Sequence, residues 1–362
     1  MTRKILLVIL VFVSGEASTA VSWRQLPPLP DPCGFSSPFA GTSGGALIVA
    51  GGANFPGEPL WEGGRKKWHD RVFALAPGAA QWHVAGALPR PLAGGVSATT
   101  ARGVLCVGGG DGERNYAEAF LLRFQSNSTS GSAGDAGGVG AGGGIVIEHC
   151  PPMPAPLALS AGARAGNVLY VAGGVERPGA DAVPVRAFFA LDLSDIAAGW
   201  KTLAPWPGPG RFQAVAAARG DEFYLFSGLS REFAASGAAR LVYLADAYRY
   251  SPATGWEKLP DLPRAAQAAA SPAPVADNGD IFLLGGADEA WAGGAPGEFR
   301  QVPRRVQIFS PRTNAWRAGG AMPVARACVA TTVWGGAWIL PTGERSAGCR
   351  SPEVWSARLA GD

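Results

Sequence analysis

A six-bladed β-propeller closed by its N-terminal strand is the fold class this sequence predicts, and three observations predict it. One phrase recurs six times: a large apolar residue, five residues, then a bulky residue and proline. Its copies are Trp23…Leu29-Pro30, Trp82…Leu88-Pro89, Ile147…Met153-Pro154, Trp200…Trp206-Pro207, Trp256…Leu262-Pro263 and Trp316…Met322-Pro323. Their spacing of about 50–65 residues is that of stacked supersecondary units. Between successive copies lies a β-rich run ending in a small pair, usually Gly-Gly, and no segment carries helical periodicity. Four short strands per unit, repeated radially, give a propeller.

Each unit reads in the same order. The runs Leu47–Gly52, Leu105–Gly109, Leu169–Gly174, Phe223–Gly228, Ile281–Gly286 and Ala337–Gly343 are apolar and end at glycine, as strands buried on both faces do. A loop and a third strand follow, as in Arg71–Leu75 and Val306–Phe309, and the tryptophan phrase supplies a fourth. The first phrase, beginning at Trp23, has no unit before it. The last unit stops after its third strand, Val354–Leu359. The N-terminal strand is therefore expected to complete the sixth blade, making residues 21–362 one domain.

Residues 1–20 carry Arg3-Lys4, an apolar run from Ile5 to Val13 and small residues up to Ala20, the pattern of a secretory signal peptide too short to span a bilayer. Export places the mature chain outside the cell, in a periplasm or in a secretory lumen. The Gly- and Ser-rich stretch 125–144 is expected to be a flexible insertion between two strands of one blade. Within it, Asn127-Ser128-Thr129 fits a glycosylation acceptor if the source is eukaryotic. Five cysteines (Cys33, Cys106, Cys150, Cys328, Cys349) form no spaced framework, so their pairing stays open, and Cys106 reads as core filler. His69, His83 and His149 are dispersed and no CxxC occurs, so no metal site is expected. A net charge of +3, without a basic stripe, argues against nucleic acid. A charged share of 16%, against about 25% in typical domains, fits many buried strands.

Chemistry is sought where the repeats differ. The residue after the small pair is Ala53, Gly110, Val175, Leu229 and Ala287 in five units, and Glu344 in the sixth. A carboxyl at the exit of an inner strand, near the funnel and partly removed from water, has a raised pKa suited to acid–base work. Arg350 lies six residues on, across a short return loop that brings it beside Glu344; the alternative is a structural ion pair tying the loop. Arg90, Arg211, Arg264 and Arg326 begin strands after the proline phrases and either point into the funnel or space the blades. Asn54 follows the first glycine pair as a funnel candidate or a turn stabiliser. Arg114-Asn115 and Trp61–His69 fall on loops expected to rim one face, with the His69-Asp70 pair read as a loop anchor.

The Trp/Gly-Gly repeat resembles kelch. Gly51-Gly52-Ala53-Asn54-Phe55-Pro56, followed by Trp61-Glu62-Gly63-Gly64-Arg65-Lys66-Lys67-Trp68-His69-Asp70, resembles the cyclically permuted mutarotases, relatives of N-acetylneuraminate epimerase. The resemblance implies a kelch-type propeller that interconverts the α and β anomers of sialic acid without a cofactor. Gly343-Glu344 and Arg350 match the spacing of that family's catalytic pair. Here their blade is last rather than mid-chain, as a circular permutation produces, and Pro341-Thr342-Gly343 replaces the diglycine. The resemblance makes Glu344 the proton acceptor and Arg350 the partner of the sugar carboxylate. Arg326, Arg211, Arg264, Arg90, Asn54 and Arg114 are the wider set expected to bind substrate. The rival reading is a secreted, non-catalytic kelch propeller that binds protein or glycan. A sialidase lacks support, since no repeated Ser-x-Asp-x-Gly-x-Thr-Trp box occurs, and a copper-radical oxidase lacks clustered His and Tyr ligands.

Overall fold

The computed structural model describes residues 21–126, 143–233, 239–292 and 300–359. The expected signal peptide (1–20), Asn127 and the middle of the expected insertion lie outside them. Among the described residues, six antiparallel sheets follow one another in chain order. Blade 1 comprises Phe39–Ser43, Ala46–Ala50, Arg71–Leu75 and His83–Ala87; blade 2 comprises Val96–Thr100, Gly103–Val107, Ala119–Ser126 and Gly143–Cys150. Blade 3 is Ala161–Ala165, Val168–Ala172, Phe188–Asp192 and Trp200–Thr202; blade 4 is Val215–Arg219, Glu222–Phe226, Ala247–Ser251 and Gly255–Leu259. Blade 5 holds Ile281–Leu284, Arg305–Ser310 and Ala315–Ala321. In blade 6, Thr332–Trp334, Ala337–Pro341 and Val354–Leu359 are joined by Val21–Leu26, which pairs along its whole length from Val21↔Leu359 to Leu26↔Val354. The N-terminal strand closes the ring, as expected.

Two local departures have physical causes. The third and fourth strands of blade 2 pair from Ala119↔Cys150 out to Ser126↔Gly143, so the ends of the expected 125–144 insertion belong to the ladder. Main-chain pairing needs no side chain, and Gly143-Gly144 therefore supports it. In blade 5 the innermost position is taken by 269–275, where Pro272 and Pro274 lack N–H donors. Only separate contacts form there, such as Ala270 N–H to the Leu284 carbonyl and Phe282 N–H to that of Pro274.

What joins the blades is regular. The amides of Gly94, Leu159, Gln213, Ala268, Cys328 and Ser37 each donate to the carbonyl of the corresponding residue one blade back, at 2.6–2.9 Å, and the sixth bond closes the circle at Cys328. All six residues are left-handed, with φ between 50° and 74°. Five are not glycine, and such a conformation costs about 1–2 kcal/mol each; the closed circle of buried bonds offsets it. Beside each sits a bridge to the residue after the small pair: Ser36↔Ala53, Ala93↔Gly110, Ala158↔Val175, Phe212↔Leu229, Gln267↔Ala287 and Ala327↔Glu344.

The tryptophan phrase ties the rim. Trp82, Trp200, Trp256 and Trp316 donate their indole N–H to the carbonyls of Pro27, Pro151, Ala204 and Pro260, each four residues into the preceding phrase. The apolar cores lie between blades: Phe39, Ile48 and Val72 pack against Val104, Cys106 and Phe120, and the seam between the last and first blades joins Ile339 and Val354 to Leu47, Val49 and Phe73. Alternate residues of each inner strand thus face opposite seams, which explains apolar runs without alternation.

Candidate functional site

Glu344 begins the hairpin Glu344–Ser346/Cys349–Arg350, in which Glu344 and Arg350 are cross-strand partners. Its main chain exchanges two 2.8 Å hydrogen bonds with Ala327, the bridge that five other blades make with an apolar residue or glycine. The repeat thus fixes the backbone and only the side chain is new. Thr342 and Gly343 adopt φ 53° and 108°, close to the glycine pairs elsewhere, such as 67° and 100° at Gly173 and Gly174. The departure from diglycine therefore leaves the path into Glu344 intact. The left-handed Thr342 is held by its hydroxyl, which accepts from Phe35 N–H at 2.6 Å and lies 2.8 Å from the Phe35 and Ser351 carbonyls. Blade 4 uses the same device at Ser227, whose hydroxyl accepts from Ala266 N–H and donates to the Leu244 carbonyl.

The side chains of Arg350 and Glu344 meet at 2.7 Å, with 5% and 19% of their surfaces exposed. The Arg350 Nη2 also donates to the Ser36 hydroxyl at 3.3 Å, and the guanidinium lies 4.7 Å over the Phe55 ring. Its Nε and Nη1 are buried and have no hydrogen-bond partner among the described residues. The pair thus leaves two guanidinium nitrogens unsatisfied, where Arg211 and Arg326 each leave only their Nε. Burial pushes the Glu344 carboxyl above the ordinary glutamate value, opposed by Arg350 and then by Lys66 and Ser36.

Lys66 comes from the facing loop of blade 1, with its ammonium 4.9 Å over the Trp68 ring. The residue as a whole is exposed, yet desolvation around its ammonium lowers its pKa, helped by Arg350 and opposed by Glu344 and Cys328. A cavity of about 350 Å³ adjoins, lined by Ser36, Lys66, Trp68, Asp111, Asn115 and Arg231 among others. That volume suits a single small ligand. The axial cavity inside the left-handed circle is about 70 Å³, too small for a sugar. Burial first and Glu344 second push the Cys328 thiol up to about 12, so it stays protonated and offers no thiolate nucleophile.

The other expected binding residues are not brought to this pair. Arg211 is fully buried and grips Asp246 through two 2.7 Å bonds, and Arg326 pairs with Glu353 at 2.6 Å. Arg90 holds Glu118 at 2.7 Å and 3.1 Å. Each carboxylate sits just before its blade's third strand, while the Arg211 and Arg326 carbonyls accept from Gly174 and Gly286 of the preceding blade. Arg211 and Arg326 thus tie their own blade's third strand to the preceding blade's glycine turn, whereas Arg90, its side chain 34% exposed, bonds Glu118 within blade 2. Arg264 is exposed, and its main chain is held by the Gln307 side chain. Asn54 is fully buried behind the site, donating to the Gly34 carbonyl and Asp31 and meeting His69 Nε2 at 2.7 Å; Asn54 and His69 anchor the loop. Arg114 is exposed over the Tyr116 ring, whereas its neighbour Asn115 lines the cavity.

A family model described as N-acetylneuraminate epimerase matches residues 13–130 and 150–294. The chain belongs to the N-acetylneuraminate epimerase family. It is similar to the N-acetylneuraminate epimerase of Yersinia enterocolitica serotype O:8, 31% identical over 241 residues that make up 59% of this chain and 58% of the relative. It is likewise 32% identical to that of Haemophilus influenzae (strain 86-028NP) over 235 residues, 58% of this chain and 59% of the relative. The chain thus matches under two thirds of the length of these relatives. A solved structure titled "Structure of YjhT" shares the fold, with a TM-score of 0.61 at 15% identity, covering 92% of this chain and 96% of that one.

The family match stops at residue 294, so Glu344 and Arg350 stand on their geometry. Lys66, Ser36 and Phe55 are the site neighbours that sequence reasoning missed. Lys66 and Phe55 lie inside the motif that carried the family resemblance, but nothing in Arg65-Lys66-Lys67 distinguishes which cation turns toward blade 6. Ser36 carried no signal at all.

Proposed function

We propose that the protein is a mutarotase that interconverts the α and β anomers of N-acetylneuraminic acid. The observation that carries this reading is the Glu344–Arg350 pair, set where the other five blades place glycine or an apolar residue, with two guanidinium nitrogens unpartnered. The names of the relatives supply the substrate.

Mutarotation opens the ring and closes it on the other face. Glu344, ionised, accepts the proton of the anomeric hydroxyl as the bond from the anomeric carbon to the ring oxygen breaks and a carbonyl forms. The ring oxygen takes up a proton and becomes a hydroxyl. Closure on the opposite face of the carbonyl reverses both transfers. Burial of Glu344 strengthens it as a base, because the charged form is poorly solvated until it accepts a proton. Arg350 offers its spare N–H groups to the sugar carboxylate and positions the anomeric carbon beside Glu344. The apolar face of Phe55 under the guanidinium holds it in that orientation. The leader-like residues 1–20 support a reading in which this activity acts after export.

Proton NMR of α-N-acetylneuraminic acid freshly released by a sialidase tests the reading. Wild-type protein is expected to speed conversion to the β anomer above the spontaneous rate. No acceleration for this sugar acid sinks the proposal.

A further inference from the structure

The reaction exchanges two protons at once, one leaving the anomeric hydroxyl and one reaching the ring oxygen, and Glu344 accounts for only one. Candidates for the second are the titratable groups around the pair and the adjoining cavity. Arg350 and Arg231 carry guanidinium groups, which serve as hydrogen-bond donors and charges and not as acids. His69 is turned away into Asn54. Asp111 is occupied by the Tyr116 hydroxyl at 2.6 Å and by the amides of Glu113 and Arg114. The Cys328 thiol belongs to the axial circle, within 3.8 Å of the Gln213 amide. Lys66 remains, lining the cavity beside Ser36, which itself touches Arg350.

We infer that Lys66 is the general acid, donating an Nζ proton to the ring oxygen as Glu344 takes the proton of the anomeric hydroxyl. The inference rests on the mutarotase reading. The step balances: the bond from the anomeric carbon to the ring oxygen breaks, its electron pair takes the Lys66 proton, and the hydroxyl's electron pair forms the carbonyl. Lys66 is left as a neutral amine and Glu344 as a neutral acid, and ring closure returns both protons. The Trp68 face holds the ammonium in place from below. The charged and titratable groups facing it are Arg350 and Glu344 from the blade 6 hairpin and Cys328 from the axial circle. Desolvation and then Arg350 hold its pKa below the ordinary 10.5, which makes the ammonium a readier donor than a surface lysine.

Lys66→Arg separates proton donation from charge, because arginine keeps the cation but does not titrate. With the sialic acid NMR assay, the expected result is a kcat about 10²-fold lower or worse, with KM changed by less than about fivefold. The fall of wild-type kcat/KM at high pH, caused by loss of the ammonium proton, is expected to vanish from the variant's profile. A Lys66→Arg enzyme with wild-type kcat and an unchanged alkaline limb overturns the inference and leaves Lys66 as a charge alone. Lys66→Ala with added ethylammonium is the second arm: partial rescue that depends on the protonated amine supports donation, and an enzyme as active as wild type without amine overturns it. Thermal melts of both variants that match wild type tie any rate loss to the missing proton. Wild-type protein that fails to accelerate mutarotation defeats the mutarotase reading, and this inference falls with it.

Discussion

In the proposed reaction Glu344 is the base, and two predictions belong to it. Glu344→Gln keeps the shape and the contact with Arg350 but removes the base. Mutarotation is expected to fall by about 10² to 10⁴-fold, measured by NMR, with the thermal melt preserved. The second prediction concerns pH. Burial raises the Glu344 pKa above the ordinary 4.5, and only the ionised form accepts a proton. The acid limb of kcat/KM is therefore expected above 4.5, with activity lost as pH falls through the raised value, and the limb is expected to vanish in Glu344→Gln. Stability runs the opposite way. A carboxyl with a raised pKa contributes stability that is present below its unfolded value and lost as pH rises through the folded one. The pH that activates this residue is the pH at which it weakens the fold. An acid limb at or below 4.5 counts against a desolvated base.

The hairpin that carries the pair depends on an element with no chemistry of its own. Thr342 stands in a left-handed position that glycine fills elsewhere, and its hydroxyl satisfies the buried Phe35 amide. Thr342→Val keeps the bulk and deletes the hydroxyl, leaving that amide unpaired. It is expected to destabilise the protein by about 1–3 kcal/mol in denaturant unfolding and to lower kcat, because Glu344 follows two residues later. Thr342→Gly relieves the strained φ while losing the same bonds, so its cost is expected to be smaller. Equal loss in the two variants would show that the conformation contributes nothing. The arginine clasps are elements of the same kind: Arg211 and Arg326 tie one blade's third strand to the previous blade's glycine turn.

At the scale of the whole molecule, closure is the property to test. Val21–Leu26 completes blade 6 along six residue pairs. Deleting it exposes Val354–Leu359 as an unpaired edge, which invites association. With about one ladder hydrogen bond per pair, each worth about 0.5–1.5 kcal/mol net, the loss is expected to be on the order of 3–9 kcal/mol before packing is counted. A lower melting temperature and a concentration-dependent shift to larger species in size-exclusion chromatography are the expected outcomes. An unchanged melt and a monomeric profile would mean that the axial circle alone holds the ring. That circle runs through Ser37, Gly94, Leu159, Gln213, Ala268 and Cys328, with Glu344 bridged to the residue just before its last member.

The six blades, their order and the closing strand were legible because each rests on a repeated local need: an indole that must donate, a turn that must reach positive φ, a run buried on two seams. Glu344 was legible for the converse reason, as the one charged side chain at a position whose backbone role is shared six ways. Arg350 followed from loop length. Folding alone decided which cations join them. Arg65, Lys66 and Lys67 are equivalent in composition, and only the packing of the blade 1 loop against Trp68 and the blade 6 hairpin selects Lys66. The strand-initial arginines read equally as funnel residues or blade spacers, and for Arg90, Arg211 and Arg326 only the fold brings up carboxylate partners 27 to 35 positions away in sequence. The axial circle had no signature, since Ser, Gly, Leu, Gln, Ala and Cys share no side-chain property. It is made of main-chain bonds between blades, and those exist only once the ring has closed.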